Sequence, residues 1–285
     1  MYAPSVGSVR NHQAVTQLLV KLLLAPTFVV GASLAARRFG PRVGGLVAGL
    51  PVVAGPIVLS YALGNGKDFA ARAAAGTLLG LVSLIAFVIV YGRLSRKLVW
   101  GACMLWGWLT FAVGTAIFSG FSIPAGAALA LAVLAIAAGL AWLPRPRGPQ
   151  TARTVPPGWD LPLRAGCSLA LVLTLTAVAS WLGPQLSGLL APFPIIATVL
   201  ATFTHAQRGS DEVVRLLRGM VTGFGAFALF FFTLAVTLRS LGTGPAFALA
   251  TTIALSTQAL VLACFAGREP VPVRVPAPAG EVAQR

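Results

Sequence analysis

Six acidic residues and two histidines are all that the chain offers for acid–base or metal chemistry. Three of the acids stand at repeating places. Asp68 is followed four residues on by Arg72, and Asp211, with Glu212 beside it, by Arg215. An Asp and an Arg at i, i+4 face each other across one helical turn and can form an ion pair. At the mouth of a membrane pathway such a pair would act as a gate or an anion contact. The structural alternative is an aspartate capping a helix start beside an interfacial arginine. The other acids, Asp160, Glu269 and Glu281, fall with His12 in a polar linker and the tails. No His, Cys, Asp and Glu set has metal-ligand spacing, and no Gly-rich loop leads into Lys-Ser/Thr. Thr202, Thr204 and Ser210 near His205 lack the third member that an activated nucleophile needs. These absences point away from an enzyme and give no reason to expect a cofactor, a metal or a catalytic residue.

A second set of residues concerns the backbone. Gly49, Pro51, Gly55 and Pro56 cluster inside one apolar segment, and Pro192, Phe193 and Pro194, followed by Thr198, inside another. Proline removes a helical hydrogen bond and breaks or kinks the helix. Pro51 and Pro194 come roughly 12 Å into their segments at helical rise, near the middle of a bilayer. Transporters built from internal repeats bind substrate at such midplane breaks. Gly49, Pro51, Gly55, Pro56, Phe193, Pro194 and Thr198 are therefore the candidate substrate contacts. A packing kink is the competing reading.

The two breaks belong to a duplication. Residues 40–80 align without a gap to residues 183–223, and 12 of the 41 positions are identical, where chance would give roughly three or four. The matches include Gly40/Gly183, Pro51/Pro194, Gly66/Gly209, Asp68/Asp211, Arg72/Arg215, Gly76/Gly219 and Gly80/Gly223. The Gly-x-x-x-Gly spacing in each copy would let a neighbouring helix approach closely.

The elements that must carry these residues follow from composition. Hydrophobic residues make up 57% of the chain and charged ones 9%, against about 25% charged in soluble domains. Apolar runs near 20 residues long between short polar stretches describe an all-α polytopic membrane bundle. About nine spans are expected, near 14–36, 43–63, 69–91, 98–118, 124–143, 165–182, 186–204, 213–238 and 245–266. The organisation is an N-terminal tail (1–13), a first membrane repeat with an extra linking span (14–143), a polar linker (144–164), a second repeat (165–267) and a disordered C-terminal tail (268–285). The extra span is taken as 98–118, since Gly244-Pro245-Ala246 before the last span resembles Ile123-Pro124-Ala125 before the fifth. The first segment contains Lys21, whose counterpart is Arg164, so it belongs to the fold and is not a cleaved leader. Both are read as snorkelling interfacial residues. Cys103, Cys167 and Cys264 stand singly, without a metal or disulfide framework.

The net charge of +15 is not a nucleic-acid signal. With nine spans, 16 of the 21 Lys and Arg residues fall on one side. That asymmetry puts the N-terminus outside and the C-terminus in the cytoplasm. An odd number of spans before the second copy inverts it, and the duplicated loops carry different charge, as opposite orientations require. Two inverted repeats with broken second helices are the expected architecture.

Gly188-Leu189, Phe193-Pro194, Arg208-Gly209 and Arg215 resemble the core of the GlpM-type small bacterial inner-membrane proteins. Those are four-span chains with Gly-Leu-x-x-x-Phe-Pro in the second span and an Arg-Gly turn after it. The first copy matches less closely, with Leu50-Pro51 and Asn65-Gly66. The resemblance implies a bacterial inner-membrane location and a fused, tandem version of that unit. It carries no settled activity. The functional expectation is a small-solute permease with its site between the two broken helices, its partners being the bilayer and a small-molecule substrate. The alternative is a non-transporting scaffold or assembly factor of an envelope pathway.

Overall fold

Apolar runs in hydrocarbon must satisfy their own backbone, and helices do so. The computed structural model describes residues 6–121, 123–148, 157–174 and 193–266, with side chains described from residue 23 to 264 of these. All elements among them are helical: α1 (Val6–Phe39), α2 (Pro41–Ala48), α3 (Ala54–Gly64), α4 (Lys67–Leu94), α5 (Trp100–Ser119), α6 (Ala125–Trp142), α7 (160–174), α8 (Ile195–Arg208), α9 (Ser210–Leu241) and α10 (Thr243–Ala266). Among the described residues, α4, α5, α6, α9 and α10 are long and apolar enough to cross a membrane. The chain is a membrane-embedded helical bundle. Two boundaries differ from the sequence reading. The first helix begins at Val6 rather than near Ala14, and the linker ends where α7 begins, at Asp160. Residues 175–192, with Gly183, Gly188 and Pro192, the linker residues 149–156 and the C-terminal tail lie outside the described residues.

Single glycines joint the helices. Gly66 (φ 86°) separates α3 from α4, and Gly209 (φ 82°) separates α8 from α9. With ψ of 163° and −177° both occupy a region that only glycine enters without strain. The two copies of the duplicated stretch thus make the same turn. Asp68 does not cap α4, because the N-cap position is Gly66, without a side-chain bond. Asp68 stands in the first turn, where its charge suits the helix dipole.

α4 and α9 run antiparallel through the centre. At one end Arg239 Nε of α9 meets Asp68 Oδ1 of α4 at 3.0 Å, and Lys67 Nζ donates to Arg239 O at 3.1 Å. At the other, Arg96, just past α4, lies 3.7 Å from Asp211 at the start of α9. α5 lies along α4 and reaches α8, while α10 lies along α9 and reaches α3. α6 packs against both central helices. Its last carbonyls, which have no helical donor, are held by arginines: Arg218 Nη1 donates to Leu140 O and Leu143 O at 3.1 and 3.0 Å, and Arg93 Nε to Trp142 O at 3.1 Å.

The tightest contact is between α2 and α9. A Cβ on Gly45 would overlap the Leu216 carbonyl, one on Gly219 the Arg42 carbonyl, and one on Gly49 would lie 2.8 Å from Gly223 Cα. Gly-x-x-x-Gly therefore serves close packing on α9, with Gly45 and Gly49 as its partners. The expectation for Gly76 on α4 is corrected: it is exposed, and nothing lies within 4 Å of the place its Cβ would take.

Gly219→Ala should lower stability by about 1–3 kcal/mol, since carbonyl oxygens must move to admit the methyl. Gly76→Ala, its partner in the duplication, should be neutral or raise it by about 0.5–1 kcal/mol. Melting of the purified variants in detergent distinguishes the two.

Candidate functional site

Pro51 has no N–H to give Val47 O, its acceptor in a continuous helix. Leu50 N takes that place instead, at 3.1 Å, and so deserts Leu46 O. Leu46 O keeps only a share of Gly49 N, at 3.1 Å, and is completed by Gln258 Nε2 of α10 at 2.6 Å. Gln258 is buried, and it is the polar group that makes the first break tolerable inside a bilayer. Pro51 O then accepts Gly55 N at 2.8 Å to restart the chain as α3. Pro51 and Gly55 are buried and Pro56 half-buried; a Cβ on Gly55 would come 3.2 Å from the Phe230 ring of α9.

The second break is tighter. Pro194 (φ −77°, ψ 57°) makes an inverse γ-turn, with Ile195 N donating to Phe193 O at 2.8 Å. Thr198 N then returns to Pro194 O at 2.8 Å. The helix that attends this break is α5. Trp108 Nε1 donates to Thr198 Oγ1 at 3.0 Å, and the Phe193 ring meets Trp108 and Phe111 edge-on at centroid distances of 5.2 and 5.8 Å. Thr198 is 2% exposed and Pro194 buried. Among the described residues, no hydrogen bond or ring contact joins one break to the other. The seven candidate contacts form two separate sites, each covered by a neighbouring helix.

The i, i+4 ion pairs are not the ones made. Asp68 turns to Arg239, a pair at the far end of the partner helix. Asp211 accepts from the backbone of Arg147 and Gly148 at 3.3 and 3.2 Å and faces Arg96. Arg215 Nε lies 3.4 Å from Glu212 Oε1, and its guanidinium donates to Gly148 O. In the second copy the motif straps the start of the linker to the bundle; in the first it closes the opposite end. Antiparallel packing of α4 and α9 brings the cations from elsewhere in the chain nearer than the local ones.

No family model, curated protein or solved structure matches this chain. What the residues themselves assemble is a buried polar clasp that the spacing of the sequence did not reveal. Asp160, assigned to the linker, is 0% exposed. Arg164, read as snorkelling, is 7% exposed and gives Nε to both Asp160 oxygens at 2.9 Å. Arg37 of α1 reaches Asp160 Oδ2 at 2.6 Å, and Gln207 of α8 donates to Oδ1 at 2.5 Å. The Arg164 guanidinium also stands 4.9 Å over the Phe203 ring. Burial by itself raises the Asp160 carboxyl, but Gln207, Arg37 and Arg164 outweigh it and hold it below the usual carboxylate range. The one sequence signal was Asp160 four residues before Arg164, the i, i+4 spacing sought elsewhere.

Asp160→Asn leaves the buried Arg164 charge uncompensated and should cost about 3–5 kcal/mol. Because the native carboxyl is held below its unfolded value, its contribution is complete above about pH 4 and lost as pH falls through the lower folded value. Melting temperature against pH should therefore fall on acidification in the native protein. The same acid limb should be flatter in Asp160→Asn.

Proposed function

We propose that the chain is a small-solute permease of the bacterial inner membrane, with nine spans in two inverted repeats. The repeats are α1–α5 and α7–α10, each with four spans once α2, the break and α3 count as one. Several pairings support inversion. α1 ends and α7 begins at the Asp160 clasp; α4 ends where α9 begins; α5 leaves the Arg96 end while α10 returns from the Arg239 end. The packing of α5 along α4 and of α10 along α9 favours these two as equivalents. The extra span is then α6, between the central helices, in place of the 98–118 segment taken from sequence. The end bearing Arg37, Arg93, Arg96, Arg145, Arg147, Arg164, Arg208, Arg215 and Arg218 is cytoplasmic in this reading, by the loop-charge rule.

One observation carries the transport reading. The broken helix of each repeat is met by a polar side chain from the other, Gln258 on the Leu46 carbonyl and Trp108 on the Thr198 hydroxyl. A rocking motion between repeats would act first on the breaks, where repeat transporters bind substrate. The GlpM-type likeness of the second half agrees with the location and adds no substrate. A scaffold is the second reading, and a specific observation favours it: Pro51 and Pro194 are buried, and Leu46 O and Thr198 Oγ1 beside them each have a donor.

Single cysteines in an otherwise cysteine-free chain, probed in intact cells, test both points. Gly66→Cys should label from outside and Gly209→Cys only after permeabilisation; labelling of both from one side would end the inverted reading. Leu50→Cys and Ile195→Cys should react with a small hydrophilic reagent in a permease that opens. Silence of both under every condition would leave the scaffold.

A further inference from the structure

Beside the clasp is a cleft of about 20 Å³ lined chiefly by α1, α7 and α8, with Pro41 of α2 and Leu216 of α9. That volume admits one water or one ligand oxygen. Its charges do not balance. Arg37, Arg164 and Arg208 line it with Asp160, three guanidiniums against one carboxylate. Asp160 is shared by Arg37 and Arg164, while among the described residues Arg208 forms no ion pair. Two hydroxyls line the same cleft, Ser33 and Thr204, each more than nine-tenths buried. The Ser33 hydroxyl has no hydrogen-bond partner, which is costly for a buried group. Excess cationic charge with an unsatisfied donor beside it is what an anionic oxygen would complete.

We propose that this cleft is an anion site. It takes one oxygen of a phosphate group between Arg208, Arg37 and the Ser33 hydroxyl, the rest of the ligand remaining outside. Asp160 keeps Arg164 neutralised, so the free cation is directed at the ligand. At the interface of a membrane the phosphate comes from a lipid headgroup or from solution, and basic pockets between helices suit either. The site stands whether or not the protein transports.

The full chain in phosphatidylcholine nanodiscs is titrated with inorganic phosphate at constant ionic strength, and melting temperature is followed. A saturable rise is expected. Arg208→Gln should raise the half-saturating concentration at least tenfold and Ser33→Ala severalfold, while Lys97→Gln, an exposed cation at the same end, should leave it unchanged. A parallel series replaces part of the phosphatidylcholine by phosphatidylglycerol without free phosphate. An Arg208-dependent rise there assigns the site to lipid; a rise with free phosphate alone assigns it to a solute. No rise in either series overturns the proposal, as does a rise that Lys97→Gln weakens as much as Arg208→Gln. If Arg208→Gln does not fold, Ser33→Ala against Lys97→Gln is judged by the same comparison.

Discussion

The backbone contact between α2 and α9 sets what the rest of the bundle can do. Helix axes usually stay 8–10 Å apart because side chains stand between them. Here Gly45, Gly49, Gly219 and Gly223 remove those side chains, and carbonyl oxygens of one helix lie where a methyl of the other would be. In hydrocarbon, where apolar burial gives helices little reason to associate, such close packing is a main source of attraction. It brings the first copy's break against the midpoint of the second copy's longest helix. The position of Gly55 beside Phe230 follows from it.

Once α2 is held there, the break has consequences that propagate by hydrogen bonds. The missing N–H of Pro51 moves Leu50 N to a new acceptor, and the abandoned Leu46 carbonyl is in turn met by Gln258. A defect in one helix is answered by a side chain on another. The second break uses a different local solution, a γ-turn at Pro194, and a different hook, an indole on a threonine hydroxyl. The duplication has preserved the places of the breaks while the chemistry that satisfies them has diverged.

How far this was legible follows from the range of each interaction. Helices, their glycine joints and the breaks are local, and apart from the start of α1, eight residues earlier than expected, the described ones lie within about five residues of where the sequence put them: Gly66 and Gly209 turn alike because both need a backbone that only glycine allows. The charged groups were misread because their partners are distant. Asp68 and Asp211 each had an arginine four residues on, yet antiparallel packing offered Arg239 and Arg96 instead. Asp160 looked like linker because the polar residues before it concealed that a helix starts there. Its burial depends on Arg37 and Gln207, which no spacing rule connects to it. Gly76 shows the converse: it repeats in register with Gly219, yet only Gly219 lies against a neighbouring backbone.

The Gln258 amide has a further meaning for biogenesis. The chain emerges in order, so α2 and its faulted turn enter the membrane long before α10 is made. Until then Leu46 O lacks the donor that the native bundle gives it. The last helix to arrive finishes one of the first to be laid down. The indole of Trp108, by contrast, is present early and waits for Thr198. Each half of the chain therefore holds a polar side chain that meets a group of the other half, a backbone carbonyl at Leu46 and a side-chain hydroxyl at Thr198. In the finished bundle the two halves are joined at both breaks by these two hydrogen bonds.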